Sequence, residues 1–340
     1  MFDNIKNILI YNSGGGLGDT LSIIPIIQWL KIKFKLKKIY YIQNGIHKHF
    51  ENALKDYDNG FVNTINFLPE DYSFATLKRI KNFSHFKLGK KIVESINITK
   101  FDLIVDTQTR INNSLILKSI PHKYFISPCS KFILSNPKIF ILNSQNICGR
   151  IFDYFEKTLN KKISIPAEIN NLPKKYIERV SALFNEDKKY IGFSITSGHP
   201  SRRKEFSLEA IIEVANYLAS KNYIPTFLIE EKYLDIIKNI KHKVKEAYFP
   251  ELLVENSLRN PLLAIAIGKK LNSAISIDNG IMHMLGLAGT KTVIFFNKNS
   301  NKFKPMNDSK LKIYSSFENN NKKVEELTSG DIINFIQDFI

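Results

Sequence analysis

Acidic residues are in short supply in this chain: 32 Asp and Glu stand against 49 Lys and Arg over 340 residues, a formal net charge of +17. The imbalance points to an anionic partner, which can be nucleic acid, a phospholipid surface or a phosphorylated substrate. The lysines do not choose among these. They are spread over 31–38, 87–91 and 238–245 rather than gathered into one arm, and a solvated basic surface is the plain alternative. Cysteine is scarcer still. Cys129 and Cys148 sit in no metal spacing and cannot make a disulfide framework, which sets aside thiolate metal chemistry and leaves two packing residues. No apolar run approaches the roughly 20 residues of a membrane helix. Met1-Phe2-Asp3-Asn4-Ile5-Lys6 carries no signal-peptide pattern, so the expectation is a soluble, cytoplasmic protein. For such a chain, a functional positive charge best suits peripheral association with an anionic membrane, here its inner face.

The length exceeds what one core usually holds and favours two domains. The first half opens with a strand at Ile5–Tyr11, a glycine loop, and a helix from Thr20 to Lys33 that contains Pro25. Strands at Lys38–Ile42 and Phe101–Asp106 alternate with helical stretches, the pattern of a parallel α/β sheet. Residues 143–173 lose periodicity and contain Pro166 and Pro173, which reads as a linker. The second half repeats the plan: strands at Tyr190–Ile195, Ile224–Ile229 and Thr292–Phe296, a helix capped by Ser207, and a helix capped by Asn260 with Pro261 at its first position. The expected domains are 1–165 and 175–325, with a C-terminal helix in 326–340. Ligands of such sheets bind at the carboxyl ends of the strands, here in a cleft between the domains.

Three loops carry the chemistry. Ala274–Ile277 is an apolar strand ending in Asp278-Asn279-Gly280, where a short helix starts at once. The first amides of a helix lack internal partners and carry the positive end of its dipole, so this turn can hold a phosphate; Gly280 allows close approach and His283 lies in the first turn. Ser13-Gly14-Gly15-Gly16-Leu17-Gly18-Asp19 follows the first strand but fits neither phosphate fingerprint: the third glycine of a dinucleotide loop is replaced by Asp19, and no Gly-Lys-Ser/Thr is present. It presents one carboxylate, either a helix cap or a general base tuned by an apolar wall. Ser197-Gly198-His199-Pro200-Ser201-Arg202-Arg203-Lys204 follows the strand at 190–195, and its three cations can neutralise a diphosphate, or form an exposed basic loop without a ligand. No histidine stands in metal or triad spacing.

Asp278-Asn279-Gly280-Ile281-Met282-His283-Met284-Leu285-Gly286-Leu287-Ala288-Gly289 resembles the Asp-Thr-Gly-x-x-His-x-Ala-x-Ala-x-Gly signature of glycosyltransferase family 9, the ADP-heptose:lipopolysaccharide heptosyltransferases. In the same order, Gly15 to Leu21 with Pro25 is similar to that family's Gly-Asp loop, Phe101 to Gln108 to its acceptor-side strand, and Lys204 to Ser207 to its Lys-x-Trp-Pro segment. Asn279 stands for the usual threonine, Phe206 for tryptophan, and Phe295-Phe296-Asn297 lacks a glycine common there. The resemblance implies a GT-B fold of two Rossmann-like domains and metal-independent, inverting sugar transfer without a cofactor, the nucleotide sugar being a substrate. It implies Asp19 as base and Lys204 with the Asp278–His283 turn as the diphosphate cradle. Ser197, Arg202, Arg203, Asn279, Gly280 and Glu230, the last as a ribose acid, complete the donor side. Gly15, Gly16, Gly18, Gln108 and Arg110 fall on the acceptor side; Arg110, Asn112 and Asn113, after the strand ending at Asp106, either touch the acceptor or are solvated loop residues. The implied partners are an ADP-sugar and an anionic glycolipid or oligosaccharide. An epimerase, a transferase using another nucleotide sugar, and a non-catalytic nucleotide-binding relative are the alternatives; no nucleic-acid reading helix or aromatic platform is present.

Overall fold

The computed structural model describes residues 2–12, 16–43, 48–57, 60–65, 90, 92–142, 146–169, 171–197, 205–319 and 322–340. The chain divides into two compact units, Met1–Pro166 and Ala167–Ile340.

In the first unit, β1 (Ile8–Asn12), β2 (Ile39–Gln43), β3 (Val62–Thr64), β4 (Phe101–Asp106) and β5 (His122–Ile126) form one all-parallel sheet in the order β3-β2-β1-β4-β5. β1 is buried along its whole length, as expected for a strand covered on both faces by helices. The expected single helix after β1 is two: α1 (Leu17–Ser22) and α2 (Ile24–Phe34). Pro25 causes the break, because it has no N–H to give to α1 and fits the first turn of α2. α3 (Ile111–Lys118) follows β4.

The division between the two units, at 166/167, falls inside the linker read at 143–173, but much of that stretch is helical. Its centre is α4 (Ile147–Leu159), with Ile151, Phe152 and Phe155 buried on one face. Phe152 and Phe155 pack on Trp29 of α2 with ring centroids 5.8 and 4.5 Å away. Such aromatic pairs contribute about 0.5–1.5 kcal/mol each beyond area burial.

The second unit holds β6 (Lys189–Ser194), β7 (Tyr223–Phe227), β8 (Ser273–Ile277), β9 (Thr292–Phe296) and β10 (Leu311–Ser315), again all parallel, in the order β10-β9-β8-β6-β7. A single parallel bridge, Tyr248 against Thr226, stands outside β7 where a third strand stands in the first unit. With that bridge counted, the second sheet repeats the order of the first and adds β10 at its far edge.

Around it lie α5 (Lys174–Ser181), α6 (Leu208–Ser220), α7 (Leu234–Lys243), α8 (Pro261–Gly268), α9 (Gly280–Ala288), the short α10 (Ser316–Asn319) and α11 (Ser329–Ile336). Ser207 caps α6, its Oγ accepting from the Ala210 amide at 3.2 Å. Asn260 caps α8, its Oδ1 accepting from the Leu262 amide at 2.9 Å. α11 packs on α6, burying Ile332 and Ile336 in the core of the second unit. Gly289 ends α9 at φ +77, a left-handed conformation that only glycine adopts without strain. No helix among the described residues is long and apolar enough to cross a membrane.

Candidate functional site

Strand order fixes where ligands of such sheets bind: outside the carboxyl ends, where adjacent strands send their connections in opposite directions. In the first unit that point lies between β1 and β4, in the second between β6 and β8.

At the first point, Tyr11 of β1 stands in register with Asp106, the last residue of β4. Asp106 is fully buried. Its Oδ2 accepts from the hydroxyls of Ser114 at 2.6 Å and Ser127 at 2.7 Å, and its Oδ1 from the Gln108 amide at 3.1 Å. Burial pushes its carboxyl up to about 7 although those donors hold it down. Gln108 is spent in the same network. Its Nε2 donates to Ser114 Oγ at 2.9 Å and to the Arg110 carbonyl at 3.0 Å, and its Oε1 accepts from the Arg110 amide at 2.7 Å. Gln108 therefore acts on the loop from within, setting exposed Arg110 at the start of α3, rather than offering its own amide to a ligand. Asn113 is buried on α3 while Asn112 is exposed.

Asp19 sits in the third position of α1, and its carboxylate reaches back to accept from the Gly16 amide at 3.3 Å. It is exposed, which corrects the expected apolar wall: the carboxylate faces solvent at the helix start. Gly16 precedes the helix and Gly18 lies within it; Gly15 falls outside the described residues.

At the second point the Asn279 side chain does three jobs. Its Oδ1 accepts from the Met282 amide at 3.0 Å, capping α9, and its Nδ2 donates to Ser194 Oγ at 2.7 Å and to the Thr196 carbonyl at 3.0 Å. Both hydrogens of this amide are used to tie the end of β6 to the start of α9. The donors left for an anion are the first backbone amides of α9. A Cβ placed on Gly280 meets no described atom within 4 Å, so there is room for a ligand against them.

Asp278 lies between the end of β8 and the Asn279 cap of α9. Its nearly buried carboxylate holds Lys298 Nζ at 2.6 Å, and that ammonium also lies 3.4 Å from the centroid of the Phe303 ring. The pair places a cation just beyond β9, beside the helix start, and cancels an anionic charge that would repel phosphate. Burial holds His283 down at about 4, with Lys298 adding to the effect and Asp278 opposing it, so the ring is neutral near pH 7 and offers a hydrogen bond rather than charge.

Ser197 is engaged with Glu205, whose Oε1 accepts from its amide at 2.7 Å and from its hydroxyl at 2.8 Å. Tyr233 Oη donates to the Ser197 carbonyl at 3.0 Å. The two ends of the 198–204 segment are thereby fastened together; Arg202, Arg203 and Lys204 lie outside the described residues. Glu230 follows β7 on the surface, ion-paired to Lys232 at 2.7 Å.

Sequence reasoning missed Lys298, Glu205 and the Asp106–Ser114–Ser127 network. Lys298 had a readable signal, a lysine two residues past a buried strand at the edge that bears Asp278. The other two depend on pairings across 8 to 21 residues that leave no local pattern. Among the described residues, no group of three His, Cys, Asp or Glu side chains is arranged to hold a metal ion.

No family model and no curated protein matches the sequence. Solved structures do match in fold. A glycosyl transferase family 9 protein from Veillonella parvula DSM 2008 superposes at TM-score 0.69 and 14% identity, over 100% of this chain and 98% of that one. The E. coli heptosyltransferase WaaC with ADP matches at TM-score 0.65 and 13% identity, over 98% and 100%. UDP-GlcNAc 2-epimerase from Neisseria meningitidis, bound to UDP-GlcNAc, matches at 0.53 and 11%, over 98% and 90%. These similarities span both units, and with the two parallel sheets they show that the chain has the GT-B fold.

Proposed function

We propose that this protein is an inverting glycosyltransferase that takes a nucleotide-diphosphate sugar at the second unit and a hydroxyl acceptor at the first. The observation that carries the reading is the α9 start, where open space over Gly280 meets unspent helix amides with Lys298 alongside. Asp19 takes the proton of the acceptor hydroxyl. The oxygen attacks the anomeric carbon, a new glycosidic bond forms, and the bond from that carbon to the diphosphate breaks on the opposite side. The departing charge is balanced by the α9 amides, Lys298 and the 202–204 cations, so the scheme needs no metal and no cofactor. Asp106 and Gln108 shape the acceptor loop through Arg110.

The default donor is ADP-heptose and the default acceptor a lipopolysaccharide-core or similar anionic glycan. Support comes from the matching E. coli structures, solved with ADP and with ADP-2-deoxy-2-fluoro heptose, and from the net charge of +17. The same charge supports a cytoplasmic protein working at the inner face of the membrane. The shared fold with a UDP-GlcNAc 2-epimerase keeps a second reading in view, a nucleotide-sugar enzyme without an acceptor.

Thermal unfolding with ADP, UDP and GDP in parallel tests the proposal. A ligand at 100 times its dissociation constant adds roughly 2.7 kcal/mol. The expected result is stabilisation by ADP, reduced in Lys298→Ala and Lys204→Ala and retained in Asp19→Asn, with Asp19→Asn abolishing transfer. Stabilisation by UDP alone, with sugar converted in the absence of any acceptor, favours the epimerase. No response to any nucleotide sinks both readings.

A further inference from the structure

The first unit carries a basic and apolar face that the proposed reaction does not use. Between Asp106 and Asp153 the sequence contains no acidic residue, yet beyond the acceptor-side Arg110 it holds Lys118, Lys123, Lys131, Lys138 and Arg150. Lys123, Lys131 and Lys138 are exposed. The same stretch exposes large apolar side chains, above all Ile133 at 55%, Phe140 at 53% and Leu142 at 72%.

Hydrogen bonds and a ring contact bring several of these residues together beside β5. The Asn136 backbone amide donates to the Phe125 carbonyl at 2.8 Å, laying the segment beside the edge strand β5, which begins next to Lys123. Lys118 Nζ donates to the Leu134 carbonyl at 2.8 Å, bringing in the end of α3 and exposed Leu115 one turn earlier. Lys131 Nζ lies 5.2 Å from the centroid of the Phe140 ring, and Lys157 Nζ reaches the Phe140 carbonyl at 3.4 Å. Leu142 lines an open groove with Lys157, Lys161 and Lys162 against two carboxylates, Asp153 and Glu156, the latter paired to Lys162 at 2.9 Å.

Exposed apolar tips ringed by lysines fit one kind of surface, anionic headgroups above an acyl layer. A polyanion such as nucleic acid satisfies the lysines and leaves Phe140 and Leu142 in water. We propose that this face docks the first unit on an anionic phospholipid bilayer, with Phe140 and Leu142 entering the headgroup layer while the lysines meet lipid phosphates. The proposal names the membrane that a lipid-linked acceptor requires, and only in that respect does it rest on the transferase reading.

The test is co-sedimentation of the full chain with vesicles of phosphatidylglycerol and phosphatidylcholine, against phosphatidylcholine alone, with heparin retention and ADP-dependent unfolding measured on the same samples. Binding is expected only with phosphatidylglycerol, weakening as salt rises. At roughly fivefold per lysine, Lys131→Gln with Lys138→Gln lowers partitioning about 25-fold. Phe140→Ser with Leu142→Ser lowers vesicle binding while heparin retention stays as in the parent. Equal binding to both vesicle types, or a Phe140/Leu142 pair that changes nothing, overturns the proposal, the latter in favour of simple polyanion adhesion. All four side chains are exposed, so circular dichroism and ADP-dependent unfolding should be unchanged in both variants. If the parent binds vesicles but shows no nucleotide response, the transferase reading falls and the membrane surface stands.

Discussion

Two buried titratable side chains give the stability of this protein opposite pH slopes. The Asp106 carboxyl, pushed up to about 7, keeps its proton in the fold where the unfolded chain has lost it, so stability falls as pH rises from about 4 to about 7 and is level above. The difference amounts to at most about 4 kcal/mol. Asp106→Asn should remove that slope from hydrogen exchange of β4 and β5 peptides, and an unchanged slope would mean that Asp106 is ionised throughout. His283, held down at about 4, behaves conversely: the unfolded ring takes a proton below about 6.5, so stability rises with pH between about 4 and 6.5. His283→Gln should flatten the acid limb read from β8 and α9 peptides. A whole-chain melting curve blurs these effects, since they oppose each other over the same pH range.

Among the elements, α9 depends on one side chain for its start. Asn279→Ala loses the cap and both ties to the β6 end, and should cost about 1–2 kcal/mol in urea unfolding together with most of the nucleotide stabilisation. Asn279→Asp keeps the cap acceptor and should restore most of the stability but not the nucleotide response, because it sets a second carboxylate beside Asp278. Recovery of both would show the amide ties to be dispensable. The sequence made the sheets legible where strands were continuous apolar runs, as at Phe101–Asp106 and Thr292–Phe296, and made helices legible where caps were explicit, as at Ser207 and Asn260. It hid β5 and β10, whose half-exposed residues mix Lys, His and Tyr with apolar ones, and β3, which is three residues long. At the site, position along the chain located the turns correctly but not what each side chain holds. Asn279 and Ser197 turned inward, and Asp278 proved to be a seat for Lys298, because those roles are set by partners distant in sequence.

For the whole molecule, the charge of +17 has a consequence separate from any ligand. Like charges crowd together on folding, so added salt should raise the unfolding temperature up to about 0.15 M, where the screening length is near 8 Å, and the same salt should weaken vesicle binding. A melting point that falls with salt would mean that local ion pairs outweigh the general repulsion. The shared strand order goes further. With Tyr248 standing in for a third strand, the loop after the first strand carries Asp19 in one unit and the 202–204 cations in the other, while the loop after the fourth strand carries Arg110 in one and, in the other, Asp278, paired to Lys298 from beyond the fifth strand. The chain thus has the form of an architectural duplicate whose equivalent loops have diverged in electrical character. In such a tandem, inherited change can accumulate in one copy's loops, altering what that copy binds, while the other copy's chemistry is left as it was.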